Sequence, residues 1–244
     1  TIDSVMPELG TAVIVGVGVD LGASLCRRFA AAGHPIAMAA RDVNKLAPLV
    51  REIEQSGGSA KSYSADATDE EAVAHLFSCA ESELGQVEIT IFNVGIRYQA
   101  SILKMRSDEF QNTWRMSCLG GMIVGREAAR LMVPRSRGTI LFTGGIASRR
   151  ADAELAAFAV GKFGLRAVAQ SMARELAPRG IHVSHFIIEG HLDKEQHRKN
   201  HPQAAKDNGL VSTEALAELY YQTYCQPKSC WTFEVDLRPW KDPF

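Results

Sequence analysis

The amino-acid sequence predicts an α/β fold, a doubly wound parallel sheet covered by helices on both faces. Apolar runs rich in β-branched residues alternate with helix-length segments along the chain, and most of those runs are continuously apolar rather than alternating. A strand covered by helices on both sides has no solvent face to record in its sequence, so continuity argues for a parallel sheet. No internal repeat, low-complexity tract or interdomain linker interrupts the series, and 244 residues suit one domain over 1–244.

The first strand is TAVIVG at 11–16, and the glycine turn GVGVDLG at 16–22 opens a helix from about Asp20 to Ala32. PIAMAA at 35–40 is the second strand, and Asp42 then N-caps a helix over VNKLAPLVREIEQ at 43–55. KSYSA (61–65), EITIFN (88–93), TILFTG (139–144) and IHVSHFII (181–188) continue the strands, with ELAAFAVGKFGL at 154–165 on an Ala-rich helix. HLDKEQHRKNHPQAAKDNG at 191–209 breaks the rhythm and is expected to be a mobile loop on the substrate side, extending to about 212. A helix at 213–225 and a last strand at 231–237 follow.

With 46% hydrophobic and 23% charged residues the composition is that of an ordinary soluble domain. A net charge of −1 supplies no excess of one sign to neutralise phosphates, which excludes nucleic acid as the main partner and suggests no membrane surface. The run TAVIVGVGV at 11–19 is too short to cross a bilayer, and TIDSVMPE at 1–8 carries acids where a signal peptide has bases, so a cytoplasmic location is expected. The 5 cysteines, Cys26, Cys79, Cys118, Cys225 and Cys230, are odd in number and lack CxxC spacing, so reduced and mostly buried thiols are expected, with no metal site.

Gly16, Gly18 and Gly22 lie where a strand passes into a helix. Glycines there allow positive φ and close approach of backbone to a phosphate, while the helix N-terminus offers N–H groups and the positive end of its dipole. That context points to dinucleotide binding, with tight strand-to-helix packing as the bland alternative. At the end of the second strand stands AARD, with Ala40 at the tip and Arg41 beside it. An acid at the tip would hold the ribose hydroxyls of NAD, whereas an Arg can meet the 2′-phosphate of NADP with a bidentate fork, so NADP is expected, with NAD as the alternative.

On this glycine turn, SADATD with Asp66, FNVG at 92–95, GTILFTGG at 138–145 and Lys162, the chain resembles the short-chain dehydrogenase/reductase family over nearly its whole length. The resemblance implies a Rossmann-type fold, a small-molecule substrate and a dimer or tetramer built through the central helices and last strand. It also implies cofactor contacts from Gly16, Gly18, Leu21, Gly22, Arg41, Asp66, Asn93, Gly95 and Lys162. In the family a Tyr moves the substrate proton, a Ser positions the substrate oxygen, a Lys holds the nicotinamide ribose and lowers the Tyr pKa, and an Asn supports a proton relay. Those positions fall here on Phe158, Gly145, Lys162 and Ser117, so the lysine alone is kept.

The enoyl reductases of the family set the Tyr seven positions before the Lys, which is Leu155 here. Ser148, Tyr98 and His191 are the substitutes considered for the proton donor, each with a structural alternative, and His185 in its apolar strand is expected to be a satisfied core histidine. Asp20 replaces the middle glycine of TGxxxGxG, where a carboxylate repels the diphosphate unless it turns away to cap the helix. The family's PG is matched here by Glu189 and Gly190, and the resemblance implies a nicotinamide contact around Leu192. Two functions follow: an NADP-dependent oxidoreductase acting on a carbonyl, imine or activated alkene, or a catalytically weak or inactive nucleotide-binding sensor or partner. A non-redox structural protein is the least favoured.

Overall fold

In the computed structural model, residues 9–242 are described, and the acidic opening at 1–8, on which the expected lack of a signal peptide rests, lies outside them. The strands are β1 (Thr11–Val15), β2 (Ile36–Ala40), β3 (Ala60–Ser64), β4 (Val87–Phe92), β5 (Gly138–Thr143), β6 (Ile181–Ile188) and β7 (Glu234–Leu237). They form one 7-stranded parallel sheet in the order β3-β2-β1-β4-β5-β6-β7. The chain walks outward from β1 to β3 and then crosses back to β4, so Val15 pairs with both Ala39 and Phe92. A crevice opens outside the strand C-termini at such a reversal.

Alternate residues of the central strands feed two cores. Ala12 and Ile14 join Ile36, Met38, Ile89 and Ile91 under Leu25 and Phe29 of α1 (Leu21–Ala31) and Leu216 and Tyr220 of α9 (Thr213–Tyr224). Val13 and Val15 join Ala37, Ala39 and Phe92 on the other face, under α3 (Glu70–Leu84), α5 (Gly120–Met132) and α6 (Ala156–Leu176). Both faces of the strands are therefore buried, as the continuous apolar runs require. The buried Tyr220 ring stacks on Phe186 at 3.6 Å, and its hydroxyl bonds Thr143 Oγ1 at 2.9 Å, so the phenol is satisfied.

Several boundaries differ from expectation. Asp42 does cap, accepting from Asn44 N at 3.1 Å, but it heads a short 3-10 turn at Val43–Leu46, and α2 (Ala47–Gln55) starts only afterwards. Pro48 has no N–H to give Asn44, so a continuous α-helix from residue 43 would lack that bond, whereas proline is at home in a first turn. The last strand is shorter than 231–237 because Thr232 N turns aside to Gln226 Oε1 at 2.7 Å, and the ladder begins after Phe233. The 191–209 stretch contains α7 (Glu195–Asn200) and α8 (Pro202–Lys206), and its base is tied by a bridge between Leu192 and Val211.

Between α4 (Ser107–Trp114) and α5 the helix widens to a π-turn over Arg115–Leu119. All 5 thiols are free, but only Cys26 and Cys118 are buried; Cys225 and Cys230 sit past the end of α9 and are exposed, which corrects the expectation of mostly buried cysteines. Among the described residues no helix is long and apolar enough to cross a membrane, and no His, Cys, Asp or Glu cluster could hold a metal.

Candidate active site

A cleft of about 660 Å³ occupies the crevice, walled by the glycine turn, the end of β2 and the segment after β4. Each glycine of the turn does different work. Gly16 has φ +88, and a Cβ there would stand 2.8 Å from the Asn93 backbone. Gly22 would place a Cβ 2.8 Å from Val17 Cα, so its bareness lets α1 pack against the turn. A Cβ on Gly18 would meet nothing within 4 Å, which leaves its backbone bare toward the cleft. Such a strand, bare turn and helix N-terminus form a phosphate cradle that fits a dinucleotide. Asn93 locks the turn, its N donating to Val15 O at 2.8 Å and its Nδ2 to Gly16 O at 3.2 Å.

Arg41 is exposed at the cleft's edge, and its guanidinium has no hydrogen-bond or ion-pair partner among the described residues. Lys45 beside it is paired with Asp42 at 3.4 Å. Ala65 and Ala67 line the cleft, while the Asp66 carboxylate accepts from Thr68 N at 2.8 Å and Thr68 Oγ1 at 2.9 Å. Leu21 buries its side chain in the core as the first residue of α1.

Lys162 is buried on α6, donating to Thr143 O at 2.9 Å and Val94 O at 3.5 Å. A Cβ on Gly95 would come within 3.1 Å of its Nζ, so that glycine leaves room for the ammonium. Burial with no counter-charge pushes the Lys162 pKa down to about 8. Phe158 lies one turn earlier on the same helix and is half-buried. Gly145 follows Thr143 at the end of β5, and Ser117 packs under α6, its Oγ 3.2 Å from where a Gly161 Cβ would stand. The Ser117 hydroxyl is buried, with no hydrogen-bond partner among the described residues.

The substitutes behave differently from one another. Ser148 is wholly buried; its Oγ accepts from Gly145 N at 3.3 Å and faces His185 Nε2 at 3.3 Å. His185 in turn meets Glu234 Oε2 through Nδ1 at 3.2 Å, and Arg166 grips the same carboxylate at 2.7 and 2.8 Å. Burial drives the His185 pKa down to about 4, so the neutral ring donates from Nδ1 and accepts the Ser148 proton on Nε2. This chain joins the turn after β5 to β6 and β7, and every member is committed. His191 stacks on His201 with ring centroids 4.3 Å apart; desolvation first, then His201 and His197, hold its pKa below the usual imidazole range. Tyr98 is half-buried in the segment after β4.

Asp20 does not cap α1 with its side chain. Its carboxylate instead pairs with Lys194 at 3.5 Å, a residue the sequence reading passed over because a lysine in a polar stretch looks like a solvated surface group.

A family model described as short chain dehydrogenase matches residues 10–201. The chain is 28% identical over 213 residues to a sorbitol-6-phosphate 2-dehydrogenase of Escherichia coli, covering 86% of this chain and 82% of that protein. It is 25% identical over 186 residues to the 3-oxoacyl-[acyl-carrier-protein] reductase MabA of Mycobacterium bovis, covering 76% and 70%. A solved short-chain dehydrogenase from Rhodopseudomonas palustris superposes with a TM-score of 0.83 at 42% identity, covering 95% of this chain and 99% of that one. The parallel sheet, the glycine turn at the cleft and the lysine buried behind Val94 and Gly95 agree with these matches: the chain belongs to the short chain dehydrogenase family and is an oxidoreductase of that type.

Proposed function

We propose that the protein is an NADP-dependent oxidoreductase that interconverts a small carbonyl-type substrate and its alcohol without a tyrosine acid. The observation that carries the cofactor choice is Arg41 at the edge of the cleft, without a side-chain partner among the described residues, with Ala40 in place of an acid at the tip of β2. A guanidinium there fits a 2′-phosphate bidentately, and no carboxylate at the tip competes for a ribose 2′-hydroxyl. The cradle at Gly16, Gly18 and Gly22, the flanks of Asp66, and Asn93, Gly95 and Lys162 would hold the rest of the dinucleotide.

The nicotinamide, when bound, supplies or accepts the hydride. Lys162 holds a buried ammonium behind Val94 and Gly95 of the cleft wall, from where it would turn to donate to a ribose hydroxyl, while Gly95 leaves it space. Phe158 and Gly145 present no hydroxyl to a substrate oxygen, so the proton must come from water, from the substrate or from another side chain. The relatives' names, a sorbitol-6-phosphate dehydrogenase and a 3-oxoacyl reductase, support alcohol–carbonyl chemistry. The same two missing hydroxyls favour a second reading, a nucleotide-binding protein with little turnover. Val160 and Phe163, apolar and 42% and 41% exposed on α6, support assembly into a dimer or tetramer through that helix.

Titration of protein fluorescence with NADPH and NADH tests the cofactor choice. NADPH should bind about 10- to 100-fold more tightly than NADH, the range of one charge-assisted phosphate contact, and Arg41→Ala should abolish that margin. Equal affinities in the wild type, or an Arg41→Ala variant that keeps the NADPH preference, would overturn the proposal.

A further inference from the structure

Asp20 stands where the glycine turn enters α1, between Val19, which lines the cleft, and the first N–H groups of the helix. A carboxylate there opposes the anion that the cradle is built to hold. Its partner comes from far along the chain: Lys194 Nζ lies 3.5 Å from Asp20 Oδ2 across a sequence separation of 174 residues. The backbone carrying Lys194 is pinned. Asp193 N donates to Val211 O at 2.8 Å, Val211 N donates to His191 O at 2.9 Å, and Val211 is itself buried.

Two of the three cations that line the cleft are already paired. Of the cations lining the cleft, Arg27 is held by Glu52 at 2.6 Å and Lys45 by Asp42 at 3.4 Å, while Arg41 stands at the end of β2. Lys194 is thus the cation that reaches the mouth of the glycine turn from the segment after β6. Its own pair is weak by construction: the two side chains are 36% and 34% exposed, and ion pairs of that kind stabilise little. A phosphate carrying full charge and several acceptor oxygens would outcompete a single half-solvated carboxylate for the ammonium.

We propose that Lys194 is a ligand for the cofactor diphosphate, held on Asp20 until the nucleotide displaces that carboxylate, with Asp20 acting as an internal competitor that lowers affinity. The proposal rests on the dinucleotide-binding reading above. It assigns Lys194 a cofactor-binding role and gives the Asp20 carboxylate a purpose other than capping the helix.

Three probes separate this contact from the rest of the site. NADPH carries both the diphosphate and the 2′-phosphate, NADH carries the diphosphate alone, and adenosine 2′-phosphate carries the 2′-phosphate alone. Lys194→Met should weaken NADPH and NADH about tenfold each, the scale of one exposed phosphate contact, and leave adenosine 2′-phosphate unchanged. Lys194→Arg should restore most of the affinity, which a variant that merely disturbed the fold would not do. Asp20→Asn should tighten NADPH and NADH about tenfold, again without effect on adenosine 2′-phosphate.

Unchanged dinucleotide affinity in Lys194→Met, or equal weakening of all three probes, would overturn the role of the lysine. An Asp20→Asn variant that binds no tighter would overturn the competition. If the wild type prefers NADH, the NADP assignment falls while the Lys194 effect remains readable with NADH. If no dinucleotide binds, both fall together.

Discussion

Installing two hydroxyl groups should turn the protein into a faster carbonyl reductase. Phe158→Tyr places a phenol one helical turn before Lys162, and Gly145→Ser places a hydroxyl just beyond Thr143, whose carbonyl the lysine already holds. A positioned general acid contributes about 10²–10⁴-fold, roughly 3–5 kcal/mol off the barrier, so NADPH oxidation with a responsive ketone or aldehyde should rise by that order in the double variant. The Lys162 ammonium favours the phenolate and would lower the new tyrosine's pKa. Because Lys162 itself titrates at about 8, the gain should fade as the pH rises above that value and the ammonium is lost. A brisk wild-type rate that Phe158→Tyr leaves unchanged would show that another group already supplies the proton. Single substitutions of Tyr98, His191 and Ser148 would then locate it, with Ser148 the least accessible of the three because it is wholly buried.

Lys162 should also leave a mark on stability in the absence of nucleotide. Burial lowers its pKa from 10.5 to about 8 with no carboxylate to offset the cost. Between those values the unfolded chain binds the proton that the folded chain has released, so stability rises with pH across that window. Below about pH 8 the ammonium is buried at full cost; above about pH 10.5 the amine is neutral in both states and the cost is gone. The difference in unfolding free energy between wild type and Lys162→Met should therefore shift in favour of wild type by up to roughly 3 kcal/mol across the window. Urea titrations of both proteins at a series of pH values would measure it. The carbonyls of Thr143 and Val94 lose their donor in the variant at every pH, which offsets the curves without changing their slope. A difference that stays flat would mean that the lysine is solvated rather than buried.

The parallel sheet was legible because burial on both faces leaves runs with no polar alternation, and Ile181–Ile188 matches its predicted span to the residue. The glycine turn was legible because a strand-to-helix junction needs residues without a Cβ, as Gly16 at φ +88 and Gly22 against Val17 are. What escaped depends on groups distant in sequence or on local bond accounting. The restart of α2 follows from the one N–H that Pro48 lacks. The Ser148, His185 and Glu234 chain joins the turn after β5 to β6 and β7, and the Lys194–Asp20 pair joins residues 174 apart, so no short window contains either. The short helices α7 and α8 lack an apolar stripe of any length, which is why their segment looked like a loop.

In the proposed complex the cleft binds NADP with Arg41 on the 2′-phosphate and Lys162 on the nicotinamide ribose, and Phe158 stands in place of a tyrosine. A crystal structure of the wild-type protein soaked with NADPH tests it most directly. The electron density should show the adenosine 2′-phosphate group against the Arg41 guanidinium, the Lys162 ammonium turned from Thr143 O toward the ribose hydroxyls, and the Phe158 ring where the family has its phenol. A dinucleotide bound with its 2′-phosphate away from Arg41, or a Lys162 that stays on Thr143 O with the ribose elsewhere, would contradict it.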